Sequence, residues 1–289
     1  MGSKVRVEVL GSRSVVLMDS IAYADDTDAG QVVVAGSHGG RSSGRFAIAY
    51  PLDACFLNDA GVGKDDAGIA SLAMLDELGR PGAVYDFNSA RIGDSADAWE
   101  CGMISRVNTT AGLLGFVAGE RVADSIRRVF GARAMADSRH GKVMAAERRT
   151  PIEEQEMSSK IRIRLADHDV ILMDSTAYAD ASDEGSVVVA GSHGGLAGKY
   201  GGEIRLTAIF LNDAGGGKEQ AGIASLAVFD GIGVPAAAYS HRSARIGDAR
   251  DAWDNGVVSF VNRTAAGLGL AAGERVQEGV CRVFGGAPR

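Results

Sequence analysis

Three short polar segments occur twice in this chain, and each combines residue types that can hold an anion or move a proton. The first is Gly36-Ser-His-Gly-Gly40, which returns as Gly191-Ser-His-Gly-Gly195. Glycines let successive backbone N–H groups converge on negative charge, and histidine exchanges a proton near neutral pH. On this reading Ser37 and Ser192 are nucleophiles or oxyanion supports and His38 and His193 are proton acceptors. Gly36, Gly39, Gly40, Gly191, Gly194 and Gly195 then bind substrate through the main chain. A tight turn carrying a surface histidine would have the same sequence. Ser37 and His38 are adjacent and poorly placed as a dyad with each other, which leaves a pairing of Ser37 with His193 as the alternative.

The second segment is Asn58-Asp-Ala-Gly-Val-Gly-Lys64, matched by Asn212-Asp-Ala-Gly-Gly-Gly-Lys218. It joins an expected strand to an expected helix start, where unpaired N–H donors and partial positive charge favour an anion. Lys64 and Lys218 are a second choice of proton acceptor, Asp59 and Asp213 their orienting partners. Asn58, Gly61, Gly63, Asn212, Gly215 and Gly217 complete the binding turn. A triphosphate loop would need Gly at Asn58 and Asn212, and Ser or Thr at Asp65 and Glu219. A carboxylate or single phosphate therefore fits better than a nucleotide. The bland reading is an Asp59 that only caps the turn beside a solvated Lys64.

The third segment, Ser89-Ala-Arg-Ile-Gly-Asp94, returns as Ser243-Ala-Arg-Ile-Gly-Asp248. Arg91 and Arg245 can grip a carboxylate with two parallel hydrogen bonds, with Ser89 and Ser243 beside them. An internal Arg–Asp pair that pins the loop explains the pattern equally well. Asp19, Ser20 and Tyr23, with Asp174, Ser175 and Tyr178, are secondary candidates. The copies diverge where Asp86-Phe87-Asn88 becomes Ser240-His241-Arg242. If only one site works, the second is expected, because His241 and Arg242 add polar reach, and His241 joins its binding set. Trp99 and Trp253 read as core or interface anchors.

The elements that must position these segments are themselves duplicated. Residues 15–40 and 170–195 agree at 20 of 26 positions. The likeness extends almost end to end, far beyond the period of about 20 to 50 residues of solenoids and propellers. The expectation is two domain-sized copies, 1–131 and 159–289, related by a pseudo-twofold axis, with a charged linker at 132–158. Lys4–Val9 and Lys160–Leu165 alternate as half-wet strands. Val15–Met18, Val32–Ala35, Cys55–Leu57 and Ala83–Tyr85 are short apolar runs that read as buried strands. Helices are expected over Lys64–Leu78 and Lys218–Ile232, each ended by Gly and then Pro, around Ala96–Val107, and over Glu120–Phe130. This order predicts tandem α/β units with largely parallel or mixed sheets, whose ligand sites lie beyond the carboxyl ends of the strands.

Composition narrows the chemistry. With 46% apolar and 23% charged residues the chain can build real cores. A net charge of -7 argues against a general nucleic-acid or membrane surface. No apolar run approaches the roughly 20 residues that cross a bilayer, and the N-terminus lacks a signal-like stretch, so a cytoplasmic protein is expected. Cys55, Cys101 and Cys281 have no thiol counterpart in the other copy, which disfavours a shared disulfide, metal or thiolate site. Dinucleotide, zinc and di-iron signatures are absent, so no cofactor or tight metal is expected. A homo-oligomer remains open, since duplicated chains commonly pair further. The expected activity is metal-independent acid–base or nucleophilic chemistry on a small anionic metabolite bearing a carboxylate, amide or lactam. Amidohydrolase-like hydrolysis is favoured over isomerisation or elimination. The alternative is a non-catalytic organic-anion binding or sensor protein.

Overall fold

The computed structural model describes residues 3–140, 160–196 and 204–285, with 133–140 described by backbone alone. Residues 141–158 of the expected linker lie outside the described residues. The chain clusters into two compact units. One comprises 2–60 and 68–152; the other comprises 153–289 together with the segment Gly61–Ala67.

In the unit of 2–60 and 68–152, six strands form one mixed sheet in sequence order: β1 (Lys4–Leu10), β2 (Arg13–Met18), β3 (Val32–His38), β4 (Ala54–Asn58), β5 (Gly82–Tyr85) and β6 (Ile104–Val107). The four central strands are parallel, and β1 and β6 are antiparallel edges. The central strands are apolar on both faces because both faces are covered, which is why they read as short runs rather than alternations. The three connections between parallel neighbours, β2 to β3, β3 to β4 and β4 to β5, pack on one face, as crossovers of one hand require. There Ile21, Leu52, Ala47 of α1 (Arg41–Ala49), and Leu72 and Leu75 of α2 (Ser71–Glu77) meet Val16, Met18, Val33, Cys55 and Leu57. On the other face Val15, Leu17, Val34, Phe56 and Tyr85 are covered by α3 (Ser95–Cys101), α4 (Thr109–Leu114) and α5 (Val122–His140). Phe116, just beyond α4, packs edge-on to Phe56 at 5.3 Å and against Phe130 at 5.8 Å.

The unit built on 153–289 has the same topology: β7 (Lys160–Leu165), β8 (His168–Met173), β9 (Val187–His193), β10 (Ala208–Asn212), β11 (Ala236–Tyr239) and β12 (Val258–Val261), with β8 to β11 parallel and the two edges antiparallel. Among its described residues the helices are α6 (Ser225–Gly231), α7 (Ala249–Asn255), α8 (Arg263–Gly267) and α9 (Val276–Phe284). The chain is thus α/β with two six-stranded mixed sheets. Among the described residues no helix is long and apolar enough to cross a membrane.

Three local expectations change. The helix expected from Lys64 begins at Ser71, because Asp65 and Asp66 sit in the left-handed region at φ +53° and +56° and break it. Its twin likewise begins at Ser225, after Glu219 and Gln220 at φ +55° and +58°. The helix expected over Ala96–Val107 stops at Cys101, and Ile104–Val107 becomes edge strand β6. Gly36, Ser37 and His38 belong to the end of β3 rather than to a loop.

Phe116 has Leu270 as its counterpart in the other copy, so the two substitutions at this site separate volume from shape. Phe116→Ala should destabilise by about 3–5 kcal/mol, and Phe116→Leu by about 1–1.5 kcal/mol. Urea unfolding midpoints at constant m-value give the comparison.

Candidate functional site

The parallel strands end in the residues picked out by repetition, and most of those residues are held by the fold itself. In β3, the Ser37 hydroxyl accepts from the Ile21 N–H at 2.9 Å, and His38 Nδ1 accepts from the Gly40 N–H at 3.0 Å. In β9, Ser192 accepts from Thr176 N–H, and His193 Nδ1 accepts from Gly195 N–H. The Gly39 and Gly194 amides donate to the carbonyls of Asn58 and Asn212. A Cβ on Gly36 or Gly191 would lie within 2.8 Å of backbone from the Asp19 and Gly93 turns or the Asp174 and Gly247 turns. These glycines therefore permit close approach of the protein's own chain, and amides expected to face an anion are already engaged.

The other repeated residues follow suit. Asn58 and Asn212 accept from the N–H groups of Ala60 and Ala214 and donate to the carbonyls of Ala90 and Ala244. Ser89 and Ser243 donate to the carbonyls of Asp86 and Ser240 and accept from Met103 and Val257. The guanidinium of Arg91 is bound by Asp94, and that of Arg245 by Asp248 and Asp65. Asp19 accepts from Ser3 and Ser95, and Asp174 from the Ala249 N–H at the start of α7. Ser20 and Ser175 cap the 3-10 turns that contain Tyr23 and Tyr178. Lys218 opens the 3-10 segment Lys218–Ile223, whose Gln220 N–H donates to the Gly217 carbonyl.

The copies differ in the surroundings of their buried aspartates. Asp59 accepts from the Phe87 N–H at 3.0 Å and from the Ser105 hydroxyl at 2.7 Å. Asp213 has the matching bonds, from the His241 N–H at 2.9 Å and the Ser259 hydroxyl at 2.8 Å, and accepts also from Gly215 N–H. His241 then adds its ring, with Nδ1 at 2.9 Å from Asp213 Oδ1. Burial works to raise the Asp213 carboxyl, but the His241 ring, the backbone donors and Ser259 outweigh it and hold the group below the ordinary carboxylate range. An ionised carboxylate only accepts, so Nδ1 carries the proton of this bond, which leaves Nε2 as the outward ring nitrogen.

Gly61–Ala67 clusters with this unit and supplies the facing wall. The Lys64 N–H donates to the His241 carbonyl at 2.9 Å, and the Lys64 ammonium binds Asp251 at 2.8 and 3.1 Å. Asp251 is buried and also accepts from the Arg245 N–H and Asn255. Burial works to raise its carboxyl, but Lys64 and these donors keep it low. Lys64 is thereby a clamp on the cleft. Gly63 is required twice over: its φ is +72°, and a Cβ there would sit 2.9 Å from the His241 carbonyl oxygen. Val62 carries φ +63°, between the Gly61 carbonyl and the Gly63 N–H that close a γ-turn at 2.7 Å. This conformation is strained for a β-branched residue.

Gly61, Val62, Gly63, Lys64, His241 and Arg242 line a cleft of ≈ 280 Å³. Among the described residues the Arg242 guanidinium and the Val62 N–H have no hydrogen-bond partner, and His241 bonds only through its backbone and Nδ1. Among the described residues no cluster of three or more His, Cys, Asp or Glu is arranged to hold a metal. Ser259 and Asp251 were not singled out from the sequence, though both recur in the first copy, as Ser105 and Asp97. Arg242 carries the opposite signal, divergence between the copies. Comparison with protein families, curated proteins and solved structures gives no match to this chain.

Replacing Val62 by glycine, the residue its counterpart Gly216 already is, should stabilise the protein by about 1 kcal/mol through relief of left-handed strain. The thermal midpoint reports the gain.

Burial lowers His193 to about 4. Between that value and the unfolded value near 6.5 the unfolded chain binds the extra proton, so this contribution is complete above about pH 6.5 and is lost as pH falls towards 4. The ring keeps some solvent contact, which discounts the full shift to a loss on the order of 2 kcal/mol. Denaturant midpoints measured from pH 7 to 4 should show this slope in the wild type and a flatter one in His193→Gln.

Proposed function

We propose that the unit built on 153–289, completed by Gly61–Ala67, is an acid–base site for a small anionic metabolite, with His241 as the base. The observation that carries this reading is the Asp213–His241 pair, 2.9 Å apart at a cleft wall, with no second partner for the ring among the described residues. A buried carboxylate that fixes the Nδ1–H tautomer leaves Nε2 free to accept a proton. Asp213 in turn is held by Ser259 and Gly215, so the ring direction is set before substrate arrives.

Hydrolysis of an amide or lactam is the favoured chemistry. Nε2 takes a proton from water while the water oxygen bonds to the carbonyl carbon. The imidazolium then returns that proton to the leaving nitrogen as the C–N bond breaks. The Val62 N–H at the cleft wall can donate to the developing oxyanion. Proton abstraction beside a carboxylate would use the same base and would give an isomerase or lyase. Metal-independence is part of the proposal: no step above calls on one. In the other copy Phe87 and Asn88 stand in place of His241 and Arg242.

The test is a hydrolysis screen of small N-acyl amino acids and carboxylate-bearing lactams with the full chain. His241→Gln should lower kcat/KM by about 10²–10⁴-fold, and Asp213→Asn should lower kcat with little change in KM. Phe87→Ala, at the corresponding place in the other copy, should leave turnover on the same substrates unchanged. Activity that survives His241→Gln would overturn the assignment, and binding without turnover of any compound would turn the site into one for binding or sensing.

A further inference from the structure

The charges around the cleft indicate which anion it takes. Lys64 is neutralised by Asp251 at 2.8 Å, and Arg245 by Asp248, Asp65 and Asp251 at 3.0, 3.0 and 3.6 Å. Asp213 bonds to the His241 ring. Arg242 is left over: its backbone N–H donates to the Ser240 hydroxyl, and its guanidinium has no partner among the described residues. Beside the Lys64–Asp251 pair, the residues that line the cleft thus include one guanidinium without a partner among the described residues.

Size sets a second bound. A volume of ≈ 280 Å³ lies at the small end of ligand pockets. His241 and Arg242 are chain neighbours that line the same cleft, so a small molecule held by Arg242 keeps its reacting bond close to the held group. A guanidinium matches a carboxylate through two parallel N–H···O bonds. A second negative charge would find Asp65, Asp213 and Asp251 close to the lining residues, whose other cation, Lys64, is already bound by Asp251.

We infer that the substrate is a monocarboxylate, anchored by the Arg242 fork with its reacting bond within a few atoms of that carboxylate, rather than a dicarboxylate or a phosphate. This rests on the acid–base reading of the same cleft. It makes Arg242, which repetition between the copies does not mark, the specificity-determining side chain.

The test uses full-length protein with labelled histidine rings and follows the ring signals of His241, assigned by their loss in His241→Gln. Propionate, malonate and sulfate are titrated at fixed ionic strength. Propionate should bind about tenfold or more tightly than either dianion. Arg242→Gln should weaken propionate by about ten- to a hundredfold, and Arg242→Lys should recover only part, because it keeps the charge and loses the fork. Arg242 is exposed and outside the cores, so these variants should fold as the wild type. Equal or tighter binding of malonate or sulfate overturns the inference, as does propionate binding unchanged in Arg242→Gln. If propionate binding depends on Arg242 while no compound is turned over, the anchor stands and the base assignment falls. Turnover that survives Arg242→Gln with unchanged KM overturns the anchor alone.

Discussion

A carboxylate buried at the end of a parallel strand must be met by donors, and at Asp213 that requirement organises everything around it. Its oxygens accept from Gly215, from the backbone and ring of His241, and from Ser259 on the edge strand β12. Leaving such a group unmatched costs several kcal/mol, so the loops after β10 and β11 and the edge strand are tied to one another through it. The same need is met at Asp59 by Phe87 and Ser105. What separates the two sites is one ring: phenylalanine supplies only a backbone donor, whereas histidine supplies a second donor and a lone pair on its far side.

On the proposed reading, the repeated polar residues serve the topology that the two units share. They stand at the crowded carboxyl ends of the strands, where turns pass within backbone contact of one another. Asn58, Ser89, Asp19 and their twins carry hydrogen bonds that join consecutive turns. Function, on the proposed reading, sits where the copies diverge: His241, Arg242 and the Val62 segment, which clusters with the unit of 153–289 and is clamped there by Lys64 and Asp251. The strain at Val62 is consistent with a wall shaped for the cleft rather than for the local backbone.

The strands were the most legible elements, because buried parallel strands are short apolar runs stopped by polar turns. β2 to β5 and β8 to β11 coincide with those runs, give or take their ends. Helix starts were less legible. Asp65 and Asp66 look like favourable first-turn acids for a helix beginning at Lys64, yet they adopt positive φ, as Glu219 and Gln220 do, and the helix is delayed to Ser71. The edge strand β6 was hidden for a related reason, since Ile104–Val107 follows α3 after two residues and shares its apolar character.

The sequence by itself determined the α/β alternation, the duplication, the buried strands and the identity of the divergent tripeptide Ser240-His241-Arg242, because periodicity and self-comparison are local properties of the chain. Only the tertiary structure decided which groups remain available. Whether a histidine, lysine or arginine is free depends on partners distant in sequence: Lys64 meets Asp251, Arg245 meets Asp65, and His241 meets Asp213 with its far nitrogen open. Those pairings follow from how strand ends and turns converge in space, and no spacing along the chain encodes them.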